Sequence, residues 1–400
     1  MAPKAKAKQD LILTEDGYMP DMTQPAFYDE CIELGDHEVT AYFMMMAALL
    51  DGYDVRFFRT IQEAGVPEGR LAPDVRDAQF FEISSGPIKR YFQGSFCSAI
   101  STLTADDTRD KFKTKQLLHR VNVSTPVGGT ATPNDLSLIQ KMAAGGVKKF
   151  HLKPVGGSRS RGVVANLTAE GAAKHIRDNP QVSFIVEQQI IGPEIRTVVV
   201  GDKVVAAFCR EPQHVVGDGQ KTIRALLYKR RDDRKINPLF ARRVIDEGQA
   251  EMALVSRGDR FDRIPAMGEK VMLFTHLKAS ASDNLPDCLE KLPLSTIESS
   301  IRAAKALNSP VLAFDCIVDR AGETFILEAN AKAMFGYLCM PHPKGRWNLR
   351  VPRAIIAHFL PKPKHPKRMI TRIRFAEMRA EIFREGRKAP VNALDFVDLA

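Results

Sequence analysis

Two carboxylates and an amide in the last third of the chain have the types and spacing to hold a divalent cation. If a turn centres on Ala321-Gly322, Asp315 lies opposite Glu328 in a β-hairpin. Because side chains alternate along a strand, Asn330 shares the face of Glu328. Opposed carboxylates repel each other unless a cation lies between them, and oxygen donors of this kind suit Mg²⁺. The hairpin therefore predicts a magnesium site, whereas an odd-length loop would shift the register and turn the acids to solvent.

A glycine-rich loop after a short strand is a second candidate site, for a polyphosphate. The predicted strand at 149–153 ends at Lys153, and the loop that follows contains Gly156, Gly157, Ser158 and Gly162. Such a loop can present backbone N–H groups and cationic side chains to phosphates. The sequence has neither the Walker pattern nor the glycine pattern of dinucleotide-binding folds. The alternative interpretation is a flexible surface turn.

A third candidate, for a nucleoside, is an apolar strand that leads into acidic and turn residues. The predicted strand at 182–187 ends at Glu187, and a Gly192-Pro193 turn separates it from Glu194. Backbone groups beyond such a strand can contact an adenine, and a carboxylate can accept hydrogen bonds from ribose hydroxyls. A strand with a polar exit and a Gly-Pro turn explains the same residues equally well.

The surrounding elements predict an α/β (α+β) protein that has mixed sheets with helices on their faces. A helix is predicted at 38–50, and β-branched runs on both sides of Gly201-Asp202 predict a hairpin ahead of the one that carries Asp315. The expected organisation is a basic tail (1–9), an N-terminal α/β domain (10–108), a central and lid subdomain (109–187), a C-terminal mixed-sheet subdomain (188–360) and a C-terminal helical extension (361–400).

The composition is that of a globular protein without a membrane span. The 400 residues are 44% hydrophobic and 26% charged, and the longest apolar run, 41–50, has about half of the ~20 residues that a membrane helix needs. Six widely separated cysteines disfavour a disulfide framework or a zinc site and predict a cytoplasmic protein. The net charge of +10 would suit nucleic acid, but it would equally suit an enzyme that binds phosphates and carboxylates.

Taken together, the motifs resemble the ATP-grasp superfamily, and within it the branch of cyanophycin synthetase, bifunctional glutathione synthetases and ribosomal-protein glutamate ligases. The resemblance covers about 109–330, a little over half of the chain. The motifs are DKFKTKQLL at 110–118, VSTP at 123–126, KP at 153–154 with a loop that ends SRGV at 163, an E..I.G.E.R pattern at 187–196, HVVGDGQKTIR at 214–224 and IPAMGEKV at 264–271. The run at 214–224 is the most specific, since it is close to the HVVGDG..TI run of cyanophycin synthetases.

The resemblance implies how individual residues would bind ATP. Lys115 and Lys153 would contact its phosphates, and the loop from Gly156 to Gly162 would close over them. Glu194 would hold the ribose. Glu187, Gln188 and Ile190 would line the adenine site.

It also implies a metal and catalytic set. Two Mg²⁺ ions, with Mn²⁺ as a substitute, would bind Asp315, Glu328 and Asn330. Arg196 and Arg210 would stabilise an acyl phosphate and the tetrahedral intermediate formed from it. These roles suit phosphoryl transfer, which needs positioning and charge neutralisation more than covalent help from the protein.

The implied activity is ATP-dependent ligation of a small-molecule carboxylate to an amine, with an amide, ADP and phosphate as products. An amino acid or a small peptide is the expected substrate. After Asn330 the chain reads AKAMFG at 331–336 where the family has a Pro-Gly ending, so the resemblance does not imply which substrate. The alternatives are a catalytically degenerate nucleotide-binding module and, ranked below it, a basic nucleic-acid-binding protein. The C-terminal extension would pack on the body or form a homo-oligomer contact.

Overall fold

The computed structural model describes residues 11–14, 17–20, 34–60, 62–66, 80–100, 108, 110–155, 162–235, 245–274, 282–340, 348–364, 367–387 and 389–399. The strands are β1 (Leu11–Thr14), β2 (Gly17–Pro20), β3 (Asp54–Phe58), β4 (Phe80–Ser85), β5 (Ile88–Gln93), β6 (Phe96–Cys97), β7 (Gly128–Ala131), β8 (Phe150–Pro154), β9 (Val164–Leu167), β10 (Phe184–Gln188), β11 (Glu194–Val200), β12 (Lys203–Pro212), β13 (His214–Val216), β14 (Lys270–Met272), β15 (Ser282–Asp287), β16 (Val311–Val318), β17 (Thr324–Asn330), β18 (Ile370–Ile373), β19 (Val391–Asn392) and β20 (Val397–Leu399). The helices are α1 (Asp36–Leu50), α2 (Lys111–Arg120), α3 (Ser137–Ala144), α4 (Ala169–Asp178), α5 (Ile223–Arg234), α6 (Glu247–Val255), α7 (Leu294–Ala306), α8 (Gly336–Cys339), α9 (Arg350–Phe359) and α10 (Phe375–Ile382).

Helix α1 is the centre of the main core, and it confirms the helix predicted at 38–50. Residues 39–50 are all buried, as expected for a helix that is apolar on every side. The carboxylate of Glu38 accepts a hydrogen bond from the Gly35 N–H at 2.8 Å, which satisfies a backbone donor at the start of the helix. The helix contacts α8, α9, β3, β4 and β18, so both ends of the chain pack around it.

The N-terminal sheet includes a strand from the far end of the chain. Its order is β19-β3-β4-β5-β6, and Val391 of β19 pairs with Phe57 of β3. The extension at 361–400, predicted to be helical, therefore contains α10 but also β18, β19 and β20. The helical prediction was incomplete because β19 pairs with β3 near the other end of the chain and β18 pairs with β20 across α10 and β19, and no pattern within one segment reveals either pairing.

Two further sheets form the framework for the predicted site. A four-stranded sheet has the order β7-β10-β8-β9, and a five-stranded sheet has the order β15-β12-β11-β16-β17. Every pairing between described strands is antiparallel, where a mixed sheet was expected. Hairpins account for β11–β12 and β16–β17, whereas β10–β8 and β11–β16 pair strands that are separated along the chain by other elements. A small lobe of β13, β14, α5 and α6 follows β12 and has an apolar cluster of its own.

The β16–β17 hairpin pairs Asp315 with Glu328, as predicted, but only because it contains a bulge. Val318 pairs with Thr324 across an odd-length loop at 319–323. That register alone would place Leu327 opposite Asp315. The ladder shifts by one residue between Asp315 and Cys316, which restores the predicted pair.

Candidate active site

Six predicted site residues lie on one face of the five-stranded sheet, with Asn330 two residues after Glu328 on β17. Cross-strand partners share a face, and the pairs are Arg196 with Asp315, Glu194 with Arg210, and Asp315 with Glu328. The opposite face is covered by α7, whose side chains form hydroxyl contacts with that face of the sheet, Ser300 with Thr197 at 3.0 Å and Thr296 with Thr324 at 2.8 Å. Strand alternation thus separates the polar site from the helix-covered core.

Asp315 is held by a bidentate ion pair. Arg196 donates from Nε at 2.6 Å and from Nη2 at 2.7 Å, and Nη1 of Arg210 lies 3.6 Å from Oδ2. Only 6% of Asp315 is exposed. Burial would raise the pKa of this carboxyl, but the guanidinium groups of Arg196 and Arg210 outweigh it and lower that pKa. Asp315 is therefore a carboxylate at neutral pH.

Arg210 links Asp315 to the neighbouring acid, Glu194. Its Nη1 donates to Oε1 of Glu194 at 2.9 Å. Burial and the negative charge of Asp315 raise the pKa of Glu194, although Arg210 opposes that shift. The two acids therefore differ in strength, and Asp315 is the one that holds its charge more firmly.

A second charged cluster surrounds Glu187, at the end of β10 in the four-stranded sheet. Lys115 of α2 lies 2.5 Å from Oε1, and Lys153 of β8 lies 2.7 Å from Oε2. Nδ1 of His151 is 3.8 Å from Oε2. Lys115 also donates to the carbonyl of Pro126 at 2.9 Å. Both lysines predicted to contact phosphate are thus brought to one point.

The environment of Glu187 keeps it ionised. Burial would raise the pKa of this carboxyl, but nearby His151 and the ammonium groups of Lys153 and Lys115 outweigh it and lower the pKa well below its usual value. Burial also lowers the pKa of Lys115, against the effect of Glu187. Buried charges of this kind persist only when they are paired.

Two observations join the clusters into one site. Lys153 is close enough to Asp315 to help to lower its pKa. A small cavity between α2 and β17 is lined by both Lys115 and Glu328. Phosphate-binding lysines and oxygen ligands for a cation would have to meet in this way to share a triphosphate.

The predicted metal ligands suit Mg²⁺ by their chemistry. They comprise two opposed carboxylates and an amide, and Nδ2 of Asn330 is buried without a hydrogen-bond partner. In the part of the chain that the structure describes, no group of three or more His, Cys, Asp or Glu side chains could hold a metal. A cation would therefore depend on Asp315, Glu328 and the Asn330 oxygen, and it would compete with Arg196 for Asp315.

Of the other predicted site residues, three lie within the described ranges and three lie outside them. Gln188 and Ile190 follow Glu187 at the end of β10; the Gln188 N–H donates to the Val127 carbonyl at 2.8 Å, and Ile190 is buried. Gly162 has a φ of +69°, and a Cβ there would lie 2.9 Å from Cγ of Pro154, so glycine is required. Outside the described residues lie the remaining loop positions, Gly156, Gly157 and Ser158.

His151 is a site residue that the sequence analysis did not identify. It lies two residues before Lys153 on β8 and directly opposite Glu187 on β10. The signal was present, because positions 151 and 153 of a strand share a face. The sequence did not reveal that Glu187 is its partner, because β8 and β10 are separated along the chain by a strand and a helix.

Comparisons with known proteins bear on the fold and on the sequence relatives of the chain. No family model matches the sequence. The crystal structure of a bifunctional glutathione synthetase from Pasteurella multocida superposes with a TM-score of 0.55 at 20% identity, over 72% of this chain and 41% of that one. This likeness shows that the fold is shared.

The curated proteins similar in sequence include proteins of glutathione biosynthesis and cyanophycin synthetases. A glutathione biosynthesis bifunctional protein of Clostridium perfringens is 26% identical over 287 residues, which cover 66% of this chain and 36% of the relative. A cyanophycin synthetase of Crocosphaera subtropica is 23% identical over 307 residues, covering 72% and 34%. The chain thus spans about a third of the length of these relatives. The predicted resemblance to ATP-grasp ligases and the α/β fold that it implies are confirmed.

None of the helices in the described ranges is both long and apolar enough to cross a membrane.

Proposed function

We propose that the chain is an ATP-dependent carboxylate–amine ligase that acts on an amino acid or a small peptide. A carboxylate would be activated as an acyl phosphate, and an amine would then displace phosphate to form an amide. ADP and phosphate would leave. The observation that carries this proposal is a single face of the five-stranded sheet. On it Asp315 lies opposite Glu328 and is bound by Arg196, and the positive charge of Lys153 helps to lower the pKa of Asp315.

The nucleotide would bind by exchanging ion-pair partners. Lys115 and Lys153 are held beside each other by Glu187 and would turn to the phosphates of ATP. The two carboxylates and the amide of the β16–β17 hairpin, Asp315, Glu328 and Asn330, would hold Mg²⁺, which supplies charge neutralisation to the phosphates when bound. Glu187 would then be available to an adenine amino group, the role that the sequence predicted for it.

Arg196 and Arg210 would stabilise negative charge on the reacting carboxylate. Both are positioned by contacts to acids on neighbouring strands, and a cation that binds Asp315 would release Arg196 to the reacting group. Donors that are already oriented contribute most to such catalysis.

The cytoplasmic location stays a prediction from the cysteine spacing.

A screen for ADP release tests the proposal. Purified protein with Mg²⁺ and ATP is presented with pairs of amino acids and dipeptides, and products are identified by mass spectrometry. We expect ADP release only when both a carboxylate and an amine are present, and an Asp315→Asn variant at least about 100-fold slower. Asp178→Asn is the matched control, because that aspartate pairs with Lys174 on an exposed helix. Turnover of Asp315→Asn at the wild-type rate would contradict the proposal.

One observation favours a second candidate, a nucleotide-binding module without ligase activity. Both oxygens of Asp315 are engaged by Arg196, so the carboxylate is not open to a metal unless that pair rearranges. This candidate predicts Mg²⁺-independent ATP binding and no ADP release with any substrate pair. Binding that strengthens with Mg²⁺ and is lost in Asp315→Asn would exclude it.

A further inference from the structure

The chain continues past the predicted metal ligands in a regular way that brings a lysine to the site. Exposure alternates from Ala329 to Phe335, with the odd-numbered residues buried and the even-numbered residues partly exposed. Glu328 and Asn330 share a face of β17. Lys332 follows two residues after Asn330, just beyond the end of the strand, and is partly exposed as they are.

Lys332 reaches across to the N-terminal sheet. Its Nζ donates to Oε1 of Gln93, the last residue of β5, at 2.7 Å. Gln93 is only 1% exposed. The loop that carries Lys332 is further fixed at Gly336, whose N–H donates to Oγ1 of Thr40 at 3.3 Å. The N-terminal sheet thus holds the lysine itself, and helix α1 holds the loop that carries it.

The other half of the Gln93 amide has no partner. Its Nε2 is buried and makes no hydrogen bond. Buried donors are nearly always paired in folded proteins, so an unpaired one points to a missing acceptor. The two polar atoms of an amide lie side by side, which places this N–H₂ group beside the Lys332 ammonium.

The geometry points to a binding site for a carboxylate that does not react. We propose that Lys332 and the Nε2 group of Gln93 bind a carboxylate of one substrate that takes no part in the reaction. The reacting carboxylate and amine would then lie at the Asp315–Glu328 site. An ammonium and an amide N–H₂ are both donors, and a carboxylate has acceptor oxygens for each of them. The inference rests on the proposed function and deepens it, because it restricts a substrate to compounds with a spectator carboxylate, such as an α-amino acid.

A purely structural role is the competing explanation, since the Lys332–Gln93 contact also ties the loop to the N-terminal sheet. Gln93→Glu separates the two. The variant keeps an acceptor for Lys332 and adds an ion pair, so a structural tie is preserved. It replaces the N–H₂ donor by a negative oxygen, which repels a carboxylate.

The experiment measures binding by calorimetry in the presence of Mg²⁺ and a non-hydrolysable ATP analogue. The probes are the common α-amino acids, each compared with its α-carboxamide, together with glutarate and glutaramate. The first set removes the carboxylate from an amine substrate, and the second removes a spectator carboxylate from a carboxylate substrate. We expect at least one acid to bind 10-fold or more tightly than its amide to the wild-type protein.

In Gln93→Glu and Lys332→Met the preference for the acid should fall to 2-fold or less, whereas Lys332→Arg should retain it. Affinity for the ATP analogue should be unchanged in all of them. Lys174→Met, on an exposed helix, is the control for loss of a positive charge. Thermal unfolding shows whether each variant is folded.

Three results would overturn the inference: no probe preferring acid over amide, a preference that survives in Gln93→Glu, or a Lys332→Met variant that loses thermal stability while keeping the preference. The proposed function is tested separately. Carboxylate-dependent binding without ADP release would retain this site and reject the ligase, whereas ADP release with an unchanged preference in the variants would do the reverse.

Discussion

Replacing Arg196 by methionine tests how the site is held together. The Arg196–Asp315 pair is bidentate and both partners are under 10% exposed. Removing one partner of a buried ion pair costs about 3–5 kcal/mol because a charge is left buried and unpaired. Arg210 remains 3.6 Å from Asp315 and compensates in part, so we expect a loss near the lower end, about 3 kcal/mol.

The assay is urea unfolding of Arg196→Met, Asp315→Asn and the double variant. Groups in one ion-pair network commonly couple by 0.5–3 kcal/mol, and we expect about 2 kcal/mol here. Arg260→Met is the control, because its pair with Asp262 is 78% and 71% exposed and should contribute no more than about 1 kcal/mol. A coupling below about 0.5 kcal/mol would refute the view that Arg196 and Asp315 stabilise each other.

The same variants should differ in their response to pH. The folded pKa of Asp315 is lowered, so its stabilising contribution is fully present above the unfolded value of about 3.9 and is lost as pH falls through the folded value. Without Arg196, the folded pKa rises and the loss begins at higher pH. Unfolding measured between about pH 3 and 6 would reveal the shift.

The remaining predictions concern the phosphate-binding side of the site. Glu187→Gln removes the carboxylate that pairs with both Lys115 and Lys153. We expect denaturant unfolding to show a stability lower by about 2 kcal/mol. Calorimetry should show tighter binding of ATP in the absence of substrates, because the two lysines are then available to its phosphates. Equal ATP affinity in wild type and variant would count against partner exchange. Gly162→Ala places a Cβ 2.9 Å from Pro154 at a φ of +69° and should cost about 1–3 kcal/mol; an unchanged unfolding midpoint would show that the loop accommodates it.

Much of the site was predictable because it depends on local register. The Asp315–Glu328 pair follows from a turn position and the two-residue period of a strand. The prediction was correct for a reason that the sequence did not reveal, since the loop is odd and a bulge at Leu327 restores the pairing. The domain boundaries and the roles given to individual site residues stay predictions.

What the sequence could not supply were partners that are distant along the chain. The bidentate contact of Arg196 with Asp315 joins residues 119 positions apart, and the Lys332–Gln93 contact joins residues 239 apart. The pairing of β19 with β3 is of the same kind. The two strand pairings depend on which segments become neighbours in a sheet, and the Lys332–Gln93 contact depends on how two sheets pack; periodicity within one segment carries no information about either.

The two charged clusters explain how the site proposed for a polyanion and a cation can be folded without either. The Glu187 cluster combines two lysines with one carboxylate, and the Arg196–Arg210 cluster combines two guanidinium groups with Asp315 and Glu194. Unpaired, each of these buried charges would be strongly destabilising. Paired, the second cluster is neutral in total and the first carries one net positive charge, where a triphosphate would arrive. On the proposed function, substrate binding would be an exchange of partners within a site that is already ordered, and the affinity would be reduced by the free energy of the internal pairs that are replaced.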